Sequence, residues 1–567
     1  MTTGMIVAGD TASLLAGYQR PGFFRAVDIH FAAAVSRLAN VSDPLVTLAL
    51  AMASRAPSAG HIYAELGEPR VDDPEVEGDP PLFAWPTAAQ WLAALHNAPR
   101  VAGDGGSSRL PLVLDRTRLY LDRYWRYEQH LVAAIGARAS ELRDGVDETV
   151  LRDGLARLFG KSQKGESDWQ RVAACVAVLR RFVVITGPPG TGKTTTIARY
   201  LVLLAEQALK AGVRPPRIAL AAPTGKAAAR MVEAIRQELD TLHIEQSIVD
   251  TLPKAASTIH RLLGVDLRHP TKFRHDAEHP LDAEVVIIDE GSMIDLALLT
   301  KLVEAVAPTS ALVILGDRNQ LASVEAGAIL GDICPDVLPG FSASFASRVR
   351  AIVGGAAVPA GPVKTTGLHD CMVQLVKNYR YDPTGRIAAL THAINRGDTD
   401  ETLSLLRESH GDGVAPDVEL LEVDAETRSL DVIRSIAVDG YRAYLNEIDP
   451  QGMLRKLDGF RILCAHREGL FGADGVNDFV QRELRREGLI ARDESGEWWH
   501  GRPIIITEND YQLDVFNGDT GVIVRGEDGR PRAWLWASGG AGVRGIAPAR
   551  LPAHQTVFAM TVHKAQG

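Results

Sequence analysis

Near the start of the chain, apolar residues recur at helical spacing. Phe24, Val27, Phe31, Ala34, Val35 and Leu38 predict an amphipathic helix, and Pro44 opens a second apolar helix running to about Ser54. Both read as packing helices. The stretch EPRVDDPEVEGDPP (68–81) breaks the periodicity with Pro, Gly and carboxylates and predicts a solvated loop, and AGDGGSSR (102–109) repeats that signal. LPLVLDRTRLYLDRYWRYEQHLVAAI (110–135) then predicts a short strand, a turn and a helix carrying Leu119, Tyr120, Tyr124, Tyr127 and Leu131. These patterns place an N-terminal domain over 1–110 and a connector over 111–165.

From about residue 168 the texture changes to short continuous apolar runs, each followed by a helical pattern: RFVVITG (181–187), RIALAAPTG (217–225), EVVIIDE (284–290) and ALVILGD (311–317). Such runs predict strands buried on both faces of a parallel sheet. A second stretch of the same kind begins near 371 and includes FRILCAH (460–466). The expected fold class is therefore α/β: one parallel-sheet domain over 166–360 and another over 361–567, behind a mostly helical N-terminal domain. Between about 495 and 550, the segments RPIIITEN, TGVIVRG and PRAWLWA, set apart by Gly, Asn and Asp turns, predict a small antiparallel β insertion in the second domain. No repeat of fixed period and no low-complexity tract is visible.

Composition narrows the class. The 567 residues, 46% hydrophobic and 23% charged, suit three or four globular domains and exclude disordered and fibrous classes. A net charge of -10 excludes a basic coat over the whole surface, though not a basic groove. Cys175, Cys334, Cys371 and Cys464 lie far apart without C-x-x-C spacing, which argues against a structural zinc or a disulfide framework. With no positive leader before an apolar run and no span of about 18 apolar residues, the expected location is cytoplasmic.

GPPGTGKT (187–194) follows one predicted strand and precedes a helix, the context that G-x-x-x-x-G-K-[ST] requires. The loop from Gly187 through Pro188, Pro189, Gly190, Thr191 and Gly192 to Thr195 would curl around phosphates, its non-proline backbone N–H groups donating to them; Lys193 would reach the outer phosphates, and Thr194 would ligate Mg2+. VVIIDEG (285–291) ends a buried strand in two acids: Asp289 to hold Mg2+ through water and Glu290 to orient or deprotonate the attacking water. The expected substrate is ATP and the expected reaction its hydrolysis. In LGDRNQLASVEAGAILGDI (315–333), Gln320 is placed to sense the γ-phosphate. In KNYRYD (377–382), Arg380 is a candidate arginine finger reaching across a cleft from the second domain.

In chain order, GPPGTGKT, APTGKAAAR (222–230), STIHRLLG (257–264), VIIDEGSMID (286–295), GDRNQLASV (316–324), NYRYD (378–382) and TVHKAQG (561–567) resemble the motif series of superfamily 1 helicases. Within that superfamily the chain is most similar to the RecD family, helicase subunits of RecBCD-type exonuclease complexes. DWQRVAACVAVLRRFVVITGPPGTGKTTT (168–196), LCAHREGLFGADGVN (463–477), FNGDTGVI (516–523) and LDRTRLYLDRYWRYE (114–128) carry that likeness.

The resemblance implies two RecA-like P-loop domains, 1A and 2A, with the β insertion of 2A as an SH3-like 2B. It implies that Gln170 pairs with the adenine edge, that Pro223, Thr224, Gly225, Lys226, Thr258 and His260 hold a single DNA strand, and that Thr561, His563 and Lys564 do so in the second domain. RHPTKFRHDAEHP (268–280), within a small 1B insertion at about 264–282, corresponds to a strand-separating pin. Further implications are 5′ to 3′ translocation on single-stranded DNA, unwinding of double-stranded ends in recombinational repair, and a heterotrimer. In that assembly the N-terminal domain docks on a RecC-like subunit, and a RecB-like subunit supplies the opposite-polarity motor and the nuclease. No nuclease constellation stands out in this chain.

Two other readings stay open: a stand-alone RecD-like 5′ to 3′ helicase, although no tandem helix-hairpin-helix pattern precedes residue 160, and a mainly regulatory or assembly subunit. Two positions depart from the family pattern, Gly291 where Ala is usual and Ala565 where Ser is usual. Family members continue past TVHKAQG into a strand and a helix bearing a second Arg. Residue 567 falls within that motif, so the second sheet is expected to lack a strand and no second arginine finger is assigned.

Overall fold

The computed structural model describes residues 8–18, 23–67, 85–106, 109–160, 168–266, 269–321, 323, 325–335, 338, 340–354, 358–361, 367–380, 385–407, 418–422, 430–491, 496–510, 512–526, 529–537 and 542–566. The loop expected at 68–81 lies outside them, as do Ser107, Ser108, Arg268, Tyr381, Asp382 and Gly567.

The N-terminal unit is built around helix Pro44–Ser58, which Asp43 caps by accepting from Leu45 N at 2.8 Å, with Pro44 in the first turn where no N–H is needed. Its Val46, Leu48, Leu50 and Met52 are all buried. Helix Ala26–Ala39 packs against it with a face that only partly matches its apolar spacing: Phe24 is buried and Phe31 and Val35 pack against the same core. Asp28, Ala32, Ala33 and Ser36 are buried, while Val27 and Leu38 are 61% and 80% exposed. Small residues let the helices approach, and the polar ones are satisfied: Ser54 Oγ donates to Asp28 Oδ1 at 2.7 Å, and Ser36 and Thr47 hydroxyls pair at 3.2 Å.

Leu119 and Tyr120, expected in a helix, lie in a strand. Leu112–Asp115 and Arg118–Leu121 form an antiparallel hairpin, and the helix begins only at Asp122. This hairpin joins Tyr63–Glu65 and Ala102–Gly103 in a four-stranded sheet, so the boundary expected at 110 falls inside a sheet. Helix Asp122–Ser140, expected as a connector, is structural. Arg138 Nη2 donates to Val303 O at 3.2 Å and also to Val306 O, and Leu131, Ile135 and Ala139 cover one face of the central sheet.

That central sheet has six strands, all parallel, in the spatial order Met372–Gln374, Phe182–Thr186, Ala311–Gly316, Val285–Ile288, Ile218–Ala222, Ser257–Thr258. Side chains alternate across it with period two. Val183, Ile185, Val285, Ile287, Val313 and Leu315 enter one core; Phe182, Val184, Val286, Ile288, Leu312 and Ile314 enter the other. Both faces are dry, which is why the strand sequences are apolar without interruption.

The boundary expected at 360/361 also needs correction, because strand Met372–Gln374 pairs with Phe182–Thr186 in the first sheet. A buried ion pair brings it there. Arg180 Nη2 meets Asp370 Oδ2 at 2.7 Å, with the two side chains 8% and 10% exposed. Asp370 also accepts from Ser342 N and Ser342 Oγ at 2.7 Å each, and Arg180 Nη1 donates to Ala139 O at 3.1 Å.

In the second α/β unit, strands Ile462–Cys464 and Ala559–Thr561 run parallel. Buried Asn477 uses both ends of its amide there: Nδ2 donates to Ala473 O and Ala559 O at 2.8 Å, and Oδ1 accepts from Phe558 N and Ala559 N at 2.8 and 2.9 Å. Between those strands sits a five-stranded antiparallel sheet spanning 503–556, where the β insertion is expected. The 264–282 insertion is a short hairpin of Val265–Asp266 with His269–Phe273. Among the described residues no helix is long and apolar enough to cross a membrane.

The Arg180–Asp370 pair yields a stability prediction. Asp370→Ala, which strands a buried guanidinium, should destabilise the first α/β unit by about 3–5 kcal/mol in urea unfolding followed by tryptophan fluorescence. A loss under about 1 kcal/mol would show that the pair does not hold this junction.

Candidate nucleotide site and nucleic-acid interface

The loop after Phe182–Thr186 turns where three glycines meet close neighbours. A Cβ on Gly187 would lie 2.7 Å from Leu375 O; on Gly190, 2.6 Å from Arg380 Cβ and 2.8 Å from Asn378 Oδ1; on Gly192, 2.2 Å from Gln170 Nε2. Gly190 and Gly192 also have φ of +86° and +80°, a backbone region side chains disfavour. Thr191 is buried and its hydroxyl donates to Pro188 O at 2.8 Å. Gln170, in the first turn of a helix capped by Asp168, donates from Nε2 to Thr191 O at 2.9 Å. Lys193 opens helix Lys193–Lys210 and donates to Gly187 O at 2.6 Å and Pro188 O at 3.3 Å.

Gln170, Pro189, Gly190, Gly192, Lys193, Thr194, Thr195, Asp289, Glu290, Gln320 and Arg380 line one cleft of about 1180 Å³. Gly187, Pro188 and Thr191 complete the loop beneath it. Asp289 follows strand Val285–Ile288; its N–H donates to Ala221 O at 2.9 Å and its Oδ1 accepts from Glu290 N at 2.9 Å. Glu290 has a left-handed backbone, φ +52°.

Electrostatics match a site made for phosphate. Burial holds the Lys193 ammonium below its ordinary value, the carboxylates of Asp317, Asp289 and Glu290 oppose that shift, and the Arg380 guanidinium reinforces it. Burial raises Asp289. Burial and then the neighbouring Asp289 charge raise Glu290. Lys193, Arg199, Arg230 and Arg380 therefore face one space with Asp168 and the crowded pair Asp289 and Glu290. The oxygens of Thr194, Asp289 and Glu290 are hard ligands of the kind Mg2+ takes. Among the described residues no cluster of three or more His, Cys, Asp or Glu could hold a metal ion.

Arg380 is on the cleft, but it does not arrive from the second unit as expected. It follows first-sheet strand Met372–Gln374 on a segment docked to the phosphate loop: Tyr379 N donates to Gly190 O at 2.8 Å, and Asn378 Nδ2 to Pro189 O at 2.7 Å. The second unit instead contributes Val562, Ala565 and Gln566. Gln566 Nε2 donates to Gln320 Oε1 and to Leu321 O, each at 3.1 Å.

Gln566, Asn378 and Arg230 line or brace this site without having been singled out from the sequence. All three lie inside motifs, Arg230 in APTGKAAAR, Asn378 in NYRYD and Gln566 in TVHKAQG, which was the available signal. Gly291 also acquires a reason: a Cβ there would lie 2.5 Å from Ile314 Cγ2 and 3.0 Å from Leu315 O.

The expected DNA residues occupy carboxyl ends of strands. Pro223 and Thr224 follow Ile218–Ala222, whose Ala222 is in register with Thr258. Thr224 and Thr258 cap the helices that follow them, accepting from Ala227 N at 3.1 Å and Arg261 N at 3.2 Å. Lys226 faces a second cavity of about 290 Å³ with Arg230, Asp458, Phe516, Asp519 and Trp536. Burial and then Arg230 lower its pKa. The Phe516 ring fills the space beside Gly225, 2.5 Å from where a Cβ would sit. His260 is exposed, 6.0 Å from the Phe273 ring. In the second unit Thr561 is in register with Cys464, His563 is exposed, and Lys564 Nζ donates to Gln555 Oε1 at 3.2 Å. Thr258, His260, Thr561, His563 and Lys564 line neither cavity.

Residues 20–120 match the family described as RecBCD enzyme subunit RecD, N-terminal domain, and residues 170–326 match the AAA domain family. The chain is 38% identical over 574 residues to the RecBCD enzyme subunit RecD of Mycobacterium tuberculosis, covering 100% of this chain and 88% of that protein. It is 39% identical to the Mycolicibacterium smegmatis RecBCD enzyme subunit RecD over 541 residues, 95% of this chain and 86% of that protein. With the ATP-dependent RecD2 DNA helicase of Deinococcus radiodurans it shares 28% over 502 residues, 87% of this chain and only 52% of that protein. Identities of 38–39% over 95–100% of this chain and 86–88% of the two RecD subunits, with the RecD N-terminal domain matched over residues 20–120, show that the chain belongs to the RecD family of RecBCD enzyme subunits.

Proposed function

We propose that this RecD-family chain is an ATP-dependent DNA helicase subunit of a RecBCD-type complex, which translocates 5′ to 3′ on one strand to unwind double-stranded DNA ends for recombinational repair. The carrying observation is a single cleft in which Lys193, Asp289, Glu290, Gln320 and Arg380 meet and to which the second α/β unit contributes Gln566.

In this reading the loop N–H groups from Gly187 to Thr195 and the Lys193 ammonium bind the triphosphate, and the Gln170 carboxamide, next to the loop, meets the adenine edge. Thr194 and Asp289 hold Mg2+, which, when bound, neutralises charge on the phosphate oxygens. Glu290 accepts the proton of the attacking water. Gln320 senses the terminal phosphate, and Arg380 neutralises charge as the bond to it breaks.

ATP draws the two units together across the cleft and hydrolysis releases them. The first unit grips a DNA strand through Pro223, Thr224, Gly225, Lys226, Thr258 and His260, the second through Thr561, His563 and Lys564. These are few phosphate contacts, compatible with a chain of net charge -10. The 268–280 segment serves as the strand-separating pin. The N-terminal unit docks on a RecC-like partner within a heterotrimer that includes a RecB-like subunit. The 52% coverage of the ATP-dependent RecD2 DNA helicase, against 88% of a RecBCD enzyme subunit RecD, and the N-terminal RecD match both favour this reading over a solitary enzyme.

Lys193→Ala and Glu290→Gln should each lower DNA-stimulated ATPase of the full chain by at least about 10²-fold with an unchanged circular dichroism spectrum. Full activity in either variant sinks the catalytic assignment. Arg380→Ala should cut kcat by about 10³-fold while leaving ATP affinity nearly unchanged; weakened ATP binding at normal turnover would make it a binding residue instead.

The raised Glu290 carboxyl gives a pH expectation. Activity needs the carboxylate, so it is present above the raised pKa and lost as pH falls through it. The acid limb of kcat/KM should therefore lie above 4.5, the ordinary glutamate value. A profile still flat at pH 4.5 contradicts this.

A further inference from the structure

Gln320 sits on a tight turn, its N–H donating to Asp317 O at 3.1 Å while Asn319 N donates to Asp317 Oδ1 at 3.0 Å. The backbone is thus anchored within the first unit, but the carboxamide beyond it is oriented from elsewhere. Gln566 Nε2 has two protons, and the two acceptors it meets are Gln320 Oε1 and Leu321 O, at 3.1 Å each. With its oxygen engaged on that side, the end of the Gln320 amide left to turn toward a phosphate oxygen is its donor, Nε2. A reversed amide would present a lone pair to the anion and repel it.

Gln566 is itself tied to the element proposed to grip DNA. It follows helix Val562–Ala565, and its N–H donates to His563 O at 3.3 Å. The path from strand-gripping residues to the phosphate sensor is therefore two residues of backbone and one hydrogen-bonded side chain. Gln320 and Gln566 lie 246 positions apart in sequence, so the contact exists only while the second unit is seated against the first.

We infer that Gln566 is a positioning residue, which aims the N–H end of the Gln320 carboxamide at the terminal phosphate and so makes hydrolysis depend on how the second unit is seated on DNA. This rests on the helicase reading above. It goes beyond that reading by assigning the coupling to one donor group and by fixing its direction.

The test is steady-state ATPase of the full chain with and without oligo(dT), together with oligo(dT) binding by fluorescence anisotropy. Gln566→Ala should lower DNA-stimulated kcat about three- to tenfold, the equivalent of one neutral hydrogen bond, with KM for ATP held within about twofold and oligo(dT) affinity within about threefold. Gln566→Glu should be worse than Ala, because a carboxylate has no proton to donate and faces two acceptors. The double variant Gln320→Ala/Gln566→Ala should be no slower than Gln320→Ala alone, since both remove the same path.

Wild-type kcat in Gln566→Ala, additive losses in the double variant, or a loss of oligo(dT) binding in place of turnover each overturn the inference, the last making Gln566 a DNA contact. These outcomes are distinct from failure of the helicase reading, which shows as a wild-type chain whose ATPase does not respond to DNA at all.

Discussion

The crowding around the phosphate loop is the constraint on which the rest of this molecule depends. Gly187, Gly190 and Gly192 have no room for a side chain, because Leu375 O, Asn378, Arg380 and Gln170 already occupy that volume. The same lack of Cβ atoms that lets loop N–H groups close around an anion also lets a strand edge and a helix start press against the loop from either side. Those two neighbours bring the guanidinium and the carboxamide. The placements of the Arg380 guanidinium and the Gln170 carboxamide are thus consequences of how tightly the loop is packed, and any side chain introduced there would displace them together.

Charge within the cleft is deliberately unbalanced. Asp289 and Glu290 are adjacent, half-buried and both raised, and Lys193 meanwhile donates to its own loop carbonyls at Gly187 and Pro188. Crowding two acids in a partly buried site is costly. Under the proposed function a nucleotide with its divalent cation would serve both signs at once: phosphate oxygens for the lysine and arginine, a dication for the acids.

The central sheet was legible in the sequence because burial on both faces leaves an unbroken apolar run, and a parallel strand has no other way to look. The errors fall where that signal is short or shared. Leu119 and Tyr120 fit a helix extended from Tyr124 and Tyr127 as well as a strand, and the choice was settled by pairing with Tyr63–Glu65, fifty and more residues earlier. Strand Met372–Gln374 is only three residues long, too brief to announce which sheet it joins; the decision lies in the Arg180–Asp370 pair, whose members are 190 positions apart. Helix Ala26–Ala39 misled only in part: Phe31 and Val35 do face the core, but close approach centres the contact on Ala32, Ala33 and Ser36 and leaves Val27 and Leu38 outside. For the site, motif residues were readable one by one, whereas the Gln320–Gln566 contact depends on two units meeting and has no local signature.

The β insertion shows how the two units are kept in register without a continuous sheet. Its strands are inserted between Ile462–Cys464 and Ala559–Thr561, and Asn477 pins the second of these by hydrogen bonds to Phe558 N, Ala559 N and Ala559 O. From the insertion's own loop Phe516 reaches the first unit and fills the volume a Cβ at Gly225 would take, while Asp519 from that same loop faces Lys226 in the adjoining cavity. One loop of the second unit therefore touches the start of helix Gly225–Thr241, and one residue after the pinned strand's helix touches Gln320. Both contacts fall at carboxyl ends of first-sheet strands, the edge where a parallel sheet presents its loops. A displacement of the second unit must break or remake them together, so the nucleotide cleft and the Lys226 cavity respond to one motion rather than two.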